Sequence, residues 1–477
     1  MIRVWRHAAV FGLAPMLQKA FGIVLLPLYT HYLTASDYGQ IEAVTVATGL
    51  LALLLRFELR IAYLRAWIAA PDDRVRAGLF RTVLRWMLLA GSAAAAIVLG
   101  SGGLGILADP VALTVVAVGL FADIVLMVCQ ATLQAALRST AMVAIGMMQF
   151  AISAGLTVVG VVGLGLGPVA VFTGAAAGSV VGLAASVAVL RPVWRGPAAR
   201  VPIRPLLRYA WPLLGAGLLF FVLRNADRIT VARFGGVAEL GLYALAWTIA
   251  NVLMTMVFAP LQASFDVWRL ELFEAGRREA EMARFVRLAM VVLGMAAVGL
   301  CGFGADAFAL AADARFAPVL ALLPWLCAAI LLQAGYSFVA SAFFVTGATG
   351  RWLLIFGAAA VAQVGLCWVL VPTWGLAGAA AAIGLANAAL YTGAAWFGRK
   401  LWAVPWPHRA VATVIAAMVV CATLRNQQGS VGLPWALLAD ILSCMAFAGA
   451  MVATGVIDRA DRHDVVQVLR HRQGARA

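Results

Sequence analysis

Apolar runs of eighteen or more residues recur from one end of the chain to the other, each broken by a turn signal or a charge. Runs of that length match the hydrocarbon thickness of a bilayer when helical. The pattern predicts fourteen helices, at 8–28, 40–63, 82–107, 111–135, 141–164, 169–190, 209–232, 240–262, 285–308, 318–342, 352–371, 375–397, 410–424 and 434–456. The fold class expected is an all-α polytopic membrane protein.

Two longer polar connections interrupt the series. "RPVWRGPAARVPIRPLLR" (191–208) is rich in Pro and Arg. "DVWRLELFEAGRREAEMARFVR" (266–287) is of mixed sign and reads as a short surface helix after the eighth span. The first connection divides six helices from eight.

Two sequence echoes cross that divide. "ASDYGQIEAVTVATGLL" (35–51) and "VAELGLYALAWTIANVL" (237–253) both run acid, bulky residue, Gly, then an apolar helix. "GLGPVAVFTGAAAGSVVGLA" (165–184) and "TWGLAGAAAAIGLANAALYT" (373–392) share a Gly-led opening and a small-residue helix. The echoes suggest two six-helix lobes in the same orientation, 1–200 and 201–400, followed by an extra helix pair and basic tail over 401–477. Repeated lobes are a common transporter plan.

Composition adds a class. The 477 residues are 64% hydrophobic and 12% charged, against about 25% charged in soluble domains. The formal charge of +15 follows membrane topology. Of 35 Lys and Arg, Lys19, Arg56, Arg60, Arg224 and Arg228 lie inside spans. Arg233, Arg315 and Arg425 fall in outer loops; with the N-terminus inside, all the others fall in the cytoplasmic segments and the span ends that flank them. That asymmetry predicts N-in and C-in. It also argues against a nucleic-acid partner, since no basic arm with interleaved aromatics occurs. The opening "MIRVWRHAAVFGLAPMLQKAFGIVLLPL" has no small-residue cleavage site and reads as a retained first helix.

Six cysteines sit in apolar segments without ligand spacing, and the five histidines lie near termini or loops. There is no Walker loop, HExxH or GxSxG. An enzyme, a metal and an organic cofactor are not expected.

The candidate chemistry is therefore the charge inside the spans, where each ion costs about 2.5–3.5 kcal/mol on insertion scales. In the seventh span, Arg224, Asp227 and Arg228 share a helix face with Phe220 and Phe221. Either Asp227 neutralises one arginine as a structural pair, or the surplus arginine makes an anion site. In the second span, "RFELR" places Arg56 and Arg60 on one face with Tyr63, while Glu58 points away toward another helix. Snorkelling is the alternative for these arginines, less so for Lys19 near mid-depth. Tyr243 and Trp247 match the depth of Arg224 and Arg228. Asp123, Gln130 and Gln134 form one stripe on the fourth span. Asp123 either carries a coupling proton or bonds the glutamines.

Several stretches resemble the polysaccharide flippases of the multidrug/oligosaccharidyl-lipid/polysaccharide exporter superfamily. They are "PMLQKAFGIVLLPLYTHYLTASDYGQIEAV", "NADRITVARFGGVAELGLYALAW" and "WVLVPTWGLAGAAAAIGLANAAL". The resemblance runs over most of residues 8–400. It implies a V-shaped pair of lobes around a cationic cavity lined by helices one, two, seven and eight, hence by Lys19, Arg56, Arg60, Arg224 and Arg228 with Phe220, Phe221, Tyr243 and Trp247. It implies transfer of a polyprenyl-pyrophosphate-linked glycan to the outer face of a bacterial inner membrane by alternating access. Polymerase and glycosyltransferases of the same pathway are the expected partners. Coupling to H⁺ or Na⁺ is left open, with Asp123, Asp227 and Glu58 as its candidate carriers. Two rival expectations are an ion-coupled antiporter of organic cations, which wants an acidic cavity, and a non-transporting scaffold of a polysaccharide synthase.

Overall fold

A computed structural model of the protein describes residues 30–104, 109–275, 279–402, 404–427 and 433–458. The span expected at 8–28, with Lys19, lies outside them. The helices in chain order are α1 Ala35–Arg56, α2 Leu59–Ile68, α3 Asp73–Gly100, α4 Pro110–Ala135, α5 Ser139–Val158, α6 Pro168–Val189, α7 Arg191–Arg195, α8 Arg204–Phe234 and α9 Gly236–Val252. They continue as α10 Ala259–Ala275, α11 Glu279–Gly299, α12 Ala305–Ala311, α13 Leu323–Val339, α14 Ser341–Val345, α15 Thr349–Gly398, α16 His408–Gln427 and α17 Leu433–Ala453. No strand occurs among the described residues. Twelve helical segments among them are long and apolar enough to cross a membrane.

Three segments depart from the expected pattern. The second span is two helices, broken after Arg56. The mixed-sign connection continues the eighth helix through a π turn at Leu253–Phe258 into α10, instead of forming a separate surface helix. The spans expected at 352–371 and 375–397 are the arms of α15, which turns at Gly375 (φ 56°, ψ −134°) beside Pro372. Proline removes a helical N–H and clashes with the preceding turn, so a bend forms there.

The chain forms two compact units, Met1–Ala244 and Leu245–Ala477. In the first, α3, α4, α5 and α6 pack side by side, and α8 lies against α1 and α2. That contact places the seventh helix with the first unit. The second unit is built on α13, which packs on α15 and α16, while α11 lies against α16 and α17. The lobe division at residue 200, drawn from sequence repetition, is a different property and stays a proposal.

Both sequence echoes correspond to local geometry. Thr34 caps α1 reciprocally: its Oγ1 accepts from the Asp37 N–H at 3.2 Å and its N–H donates to Asp37 Oδ2 at 2.8 Å. Asp37 and Glu239 thus occupy the first turns of α1 and α9, where a negative charge complements the helix dipole. The glycines two residues later let the two helix starts touch. A methyl on Gly39 would overlap the Val237 carbonyl, and one on Gly241 would overlap the Ala35 carbonyl. In the second echo, Gly167 adopts φ 56°, ψ −136°, and Gly375, at the equivalent position, repeats it within 2°. Only glycine adopts that backbone region without strain.

Candidate functional site

The second span breaks in an unusual way. Phe57 (φ 55°, ψ 29°) and Glu58 (φ 50°, ψ 26°) are both left-handed. Each such non-glycine residue costs about 1–2 kcal/mol. Aromatic packing holds the break in place. The Phe57 ring lies 6.4 Å from Trp86, edge to face, and 5.9 Å from Trp211. Trp86 Nε1 donates to the Leu55 carbonyl at 3.3 Å, near the end of α1.

The break changes which side chains converge. On a continuous helix Glu58 would point about 200° away from Arg56. Here Arg56, Glu58 and Arg60 all line one cavity of about 510 Å³. Thr45, Thr48, Gly49 and Leu53 of α1, and Leu120, Asp123 and Met127 of α4, complete much of the wall. The expectation that Glu58 points away is thus corrected. No ion pair is seen for it among the described residues.

The polar stripe on α4 receives the two arginines. Arg56 pairs with Asp123. Arg60 Nη2 donates to Gln134 Oε1 at 2.8 Å. Asp123 and Gln134 are separated by ~16 Å of helix rise, so the two guanidiniums are pulled apart along the wall. Deeper in the interface Tyr63 meets Thr132 at 2.7 Å, both buried. Of the two roles open to Asp123, the structure shows a partner for it, and that partner is an arginine and not a glutamine. The formal charges of Arg56, Arg60, Glu58 and Asp123 cancel, so this wall of the cavity is not cationic.

The seventh-helix charges are also distributed among partners. Arg228 Nη1 lies 2.9 Å from Glu42 Oε1 on α1, and Tyr243 on α9 donates to Asp227 Oδ2 at 2.7 Å. Asp227 and Tyr243 are fully buried. Tyr243 is thus a hydrogen-bond donor inside the first unit, where the sequence suggested a cavity aromatic. Arg224 makes no ion pair among the described residues; its guanidinium lies 5.7 Å from the centre of the exposed Phe220 ring. Phe221 packs against Gly49 of the cavity wall. Trp247 falls in the second unit and is half-buried.

Sequence reading missed Glu42, Thr45 and Thr48. The only signal was that they lie at helical spacing on the apolar second span. It also placed Arg425 in a loop, whereas Arg425 is a buried residue of α16 paired with Asp306 and Asp440. No group of His, Cys, Asp or Glu suited to a metal ion occurs among the described residues.

Comparison with known proteins agrees with this architecture. A solved structure of the lipid II flippase MurJ, in an inward closed conformation, matches at TM-score 0.70, covering 94% of this chain and 99% of that one at 12% identity. An inward-facing multidrug transporter of the MATE family, of the MOP superfamily, matches at 0.65, covering 81% and 95% at 16% identity. A MOP superfamily transporter from Pyrococcus furiosus matches at 0.52, covering 86% and 96% at 14% identity. At these identities the likeness concerns the fold. No curated protein matches in sequence. Residues 4–265, more than half the chain, match the family model described as polysaccharide biosynthesis protein. The chain is therefore a multi-pass membrane protein with a MOP-type fold, and it belongs to the polysaccharide biosynthesis protein family.

Proposed function

We propose that this protein moves a polyprenyl-pyrophosphate-linked oligosaccharide from the cytoplasmic to the outer face of a bacterial inner membrane by alternating access. The product would feed cell-surface or exopolysaccharide synthesis. The observation that carries the reading is the pair Arg56 and Arg60 facing a cavity of about 510 Å³, in a chain of that biosynthetic family. A pyrophosphate cannot cross hydrocarbon without compensating cations. Arginine presents a planar fork that fits phosphate oxygens. Among the described residues Arg60 is held by a neutral amide alone, so its charge is available to an anion. Arg56 becomes available when it leaves Asp123. Arg224, with Phe220 beside it, is the further cation we assign to the head group, and Lys19 the fourth. The lipid tail stays in the bilayer, so the cavity needs to admit the head group alone.

The test is a deletion strain lacking other flippases. Lipid-linked oligosaccharide should accumulate on the cytoplasmic face, and surface polymer should disappear. Undiminished polymer at the surface would reject the proposal.

A second reading has one observation in its favour. Glu58 and Asp123 give the same cavity two carboxylates, which is what an antiporter of organic cations needs. Proton-driven uptake of a cationic dye into inverted vesicles, lost in Glu58→Gln, would favour it over the first.

A further inference from the structure

The second compact unit buries a second cluster of charge, remote in sequence from the arginines of the candidate site. Arg425, near the end of α16, donates through Nε to Asp440 Oδ1 of α17 at 2.5 Å. Its Nη2 donates to Asp306 Oδ2 of α12 at 2.6 Å. Side-chain exposure is 7% for Arg425, 1% for Asp440 and 24% for Asp306. Two carboxylates thus share adjacent nitrogens of one guanidinium.

The charges do not balance. One guanidinium faces two acids, leaving a formal −1 inside a membrane-spanning bundle, where an uncompensated ion costs several kcal/mol. Among the described residues no second cation pairs with either acid. The Cys444 thiol on α17 lies near Asp440, and Cys421 of α16 lies near Cys444; Cys301, in the π turn after α11, lies 3.9 Å from Cys327 of α13. Arg315 is taken by Asp313 at 2.9 Å on an exposed turn. On α11 the nearest charged side chain, Arg287, is ~22 Å along the helix from Gly302 and pairs with Asp458. His408 and Arg409 begin the opposite end of α16, also more than ~20 Å away.

One atom shows what is missing. Asp440 Oδ2 is buried and has no hydrogen-bond partner. The backbone at Gly302 closes over the other side of this carboxyl, where an added methyl would overlap Oδ1 and the carboxyl carbon. A buried acceptor without a donor is destabilising.

We propose that Asp306 and Asp440 form a proton-binding site, in which one proton is bound between the two carboxyls while Arg425 holds both. The proton forms an O–H bond to one carboxyl, and that O–H donates to an oxygen of the other. Asp440 Oδ2 gains its partner, and the cluster becomes one guanidinium, one carboxylate and one neutral carboxyl, with zero net charge. Arg425 positions the pair and stays protonated throughout. The site ties α12, α16 and α17 together, and its occupancy changes whenever these helices part enough to admit water. It is separate from the carboxylates of the first unit and does not depend on the proposed substrate.

Infrared spectroscopy of the purified full-length protein at neutral pH, labelled with ¹³C-aspartate, tests this. The wild type should show the C=O band of a protonated aspartic acid, shifted by the label. Asp306→Asn and Asp440→Asn should each lose it, because the remaining acid is then fully paired by Arg425. Absence of a protonated aspartate band in the wild type overturns the proposal whatever the variants do. So does a band that persists unchanged in both variants when each elutes as a single species. Binding of ²²Na⁺ by the wild type in place of that band, abolished in Asp440→Asn, also overturns it and makes the site one for sodium.

Discussion

Arg228 Nη1 sits 2.9 Å from Glu42 Oε1, which ties the seventh-helix arginine to the start of the second span. Both side chains are about four-fifths buried. Removing one partner leaves a charge in a poorly solvated place. Glu42→Gln should lower stability by about 1–3 kcal/mol, read as the thermal unfolding midpoint in detergent. The double variant Glu42→Gln/Arg228→Gln should recover part of the loss, because it removes both charges. Strictly additive losses would show that the pair is not coupled.

The touching helix starts give a second expectation. Gly39→Ala and Gly241→Ala each force a methyl into a carbonyl of the facing helix. Overpacking of this kind costs about 1–3 kcal/mol. Gly155→Ala, in a helix with open space around it, should cost nothing or gain up to ~1 kcal/mol. Unfolding midpoints of the three variants decide the matter.

Much of the architecture was legible in the chain. The apolar periodicity located the spans because bilayer thickness sets a length that sequence displays directly. Both echoes proved to mark backbone requirements, at Gly39 with Gly241 and at Gly167 with Gly375. The helix break at Phe57 and Glu58 was not legible. No Gly or Pro signals it, and it is held by Trp86 and Trp211 from distant parts of the chain. Since the break turns Glu58 toward Arg56, the cavity's charge balance was hidden with it. Arg425 was misplaced because a charge at a span's edge looks like a loop residue until its partners are known. Asp440, alone in "LPWALLADILSCMAFAGAMVA", was the overlooked signal.

The break itself can be tested. Glu58→Gly removes the side chain that makes the left-handed backbone costly, and should raise stability by about 1–2 kcal/mol at that residue. Phe57→Ala keeps the strain and removes the packing on Trp86 and Trp211, so it should lower stability. A continuous second helix would give the opposite for Glu58→Gly, since glycine weakens a helix interior by about 1 kcal/mol.

Asp123 restrains Arg56. Asp123→Asn should release that guanidinium and add one positive charge to the cavity wall. Binding of a polyprenyl pyrophosphate should tighten about fivefold to tenfold, equivalent to roughly 1–1.4 kcal/mol. Unchanged or weaker binding, by tryptophan fluorescence titration, would show that Arg56 does not meet the anion.

The most direct measurement is translocation in vesicles of defined lipid, with a polyprenyl-pyrophosphate-linked oligosaccharide and a membrane-impermeant probe of the glycan. The account predicts that the wild type makes the glycan accessible across the bilayer. It predicts that Arg60→Ala loses at least tenfold of that rate, the equivalent of 1.4 kcal/mol, at equal reconstitution and unchanged unfolding midpoint. A wild-type rate no greater than empty vesicles, or an Arg60→Ala rate equal to the wild type, would contradict it.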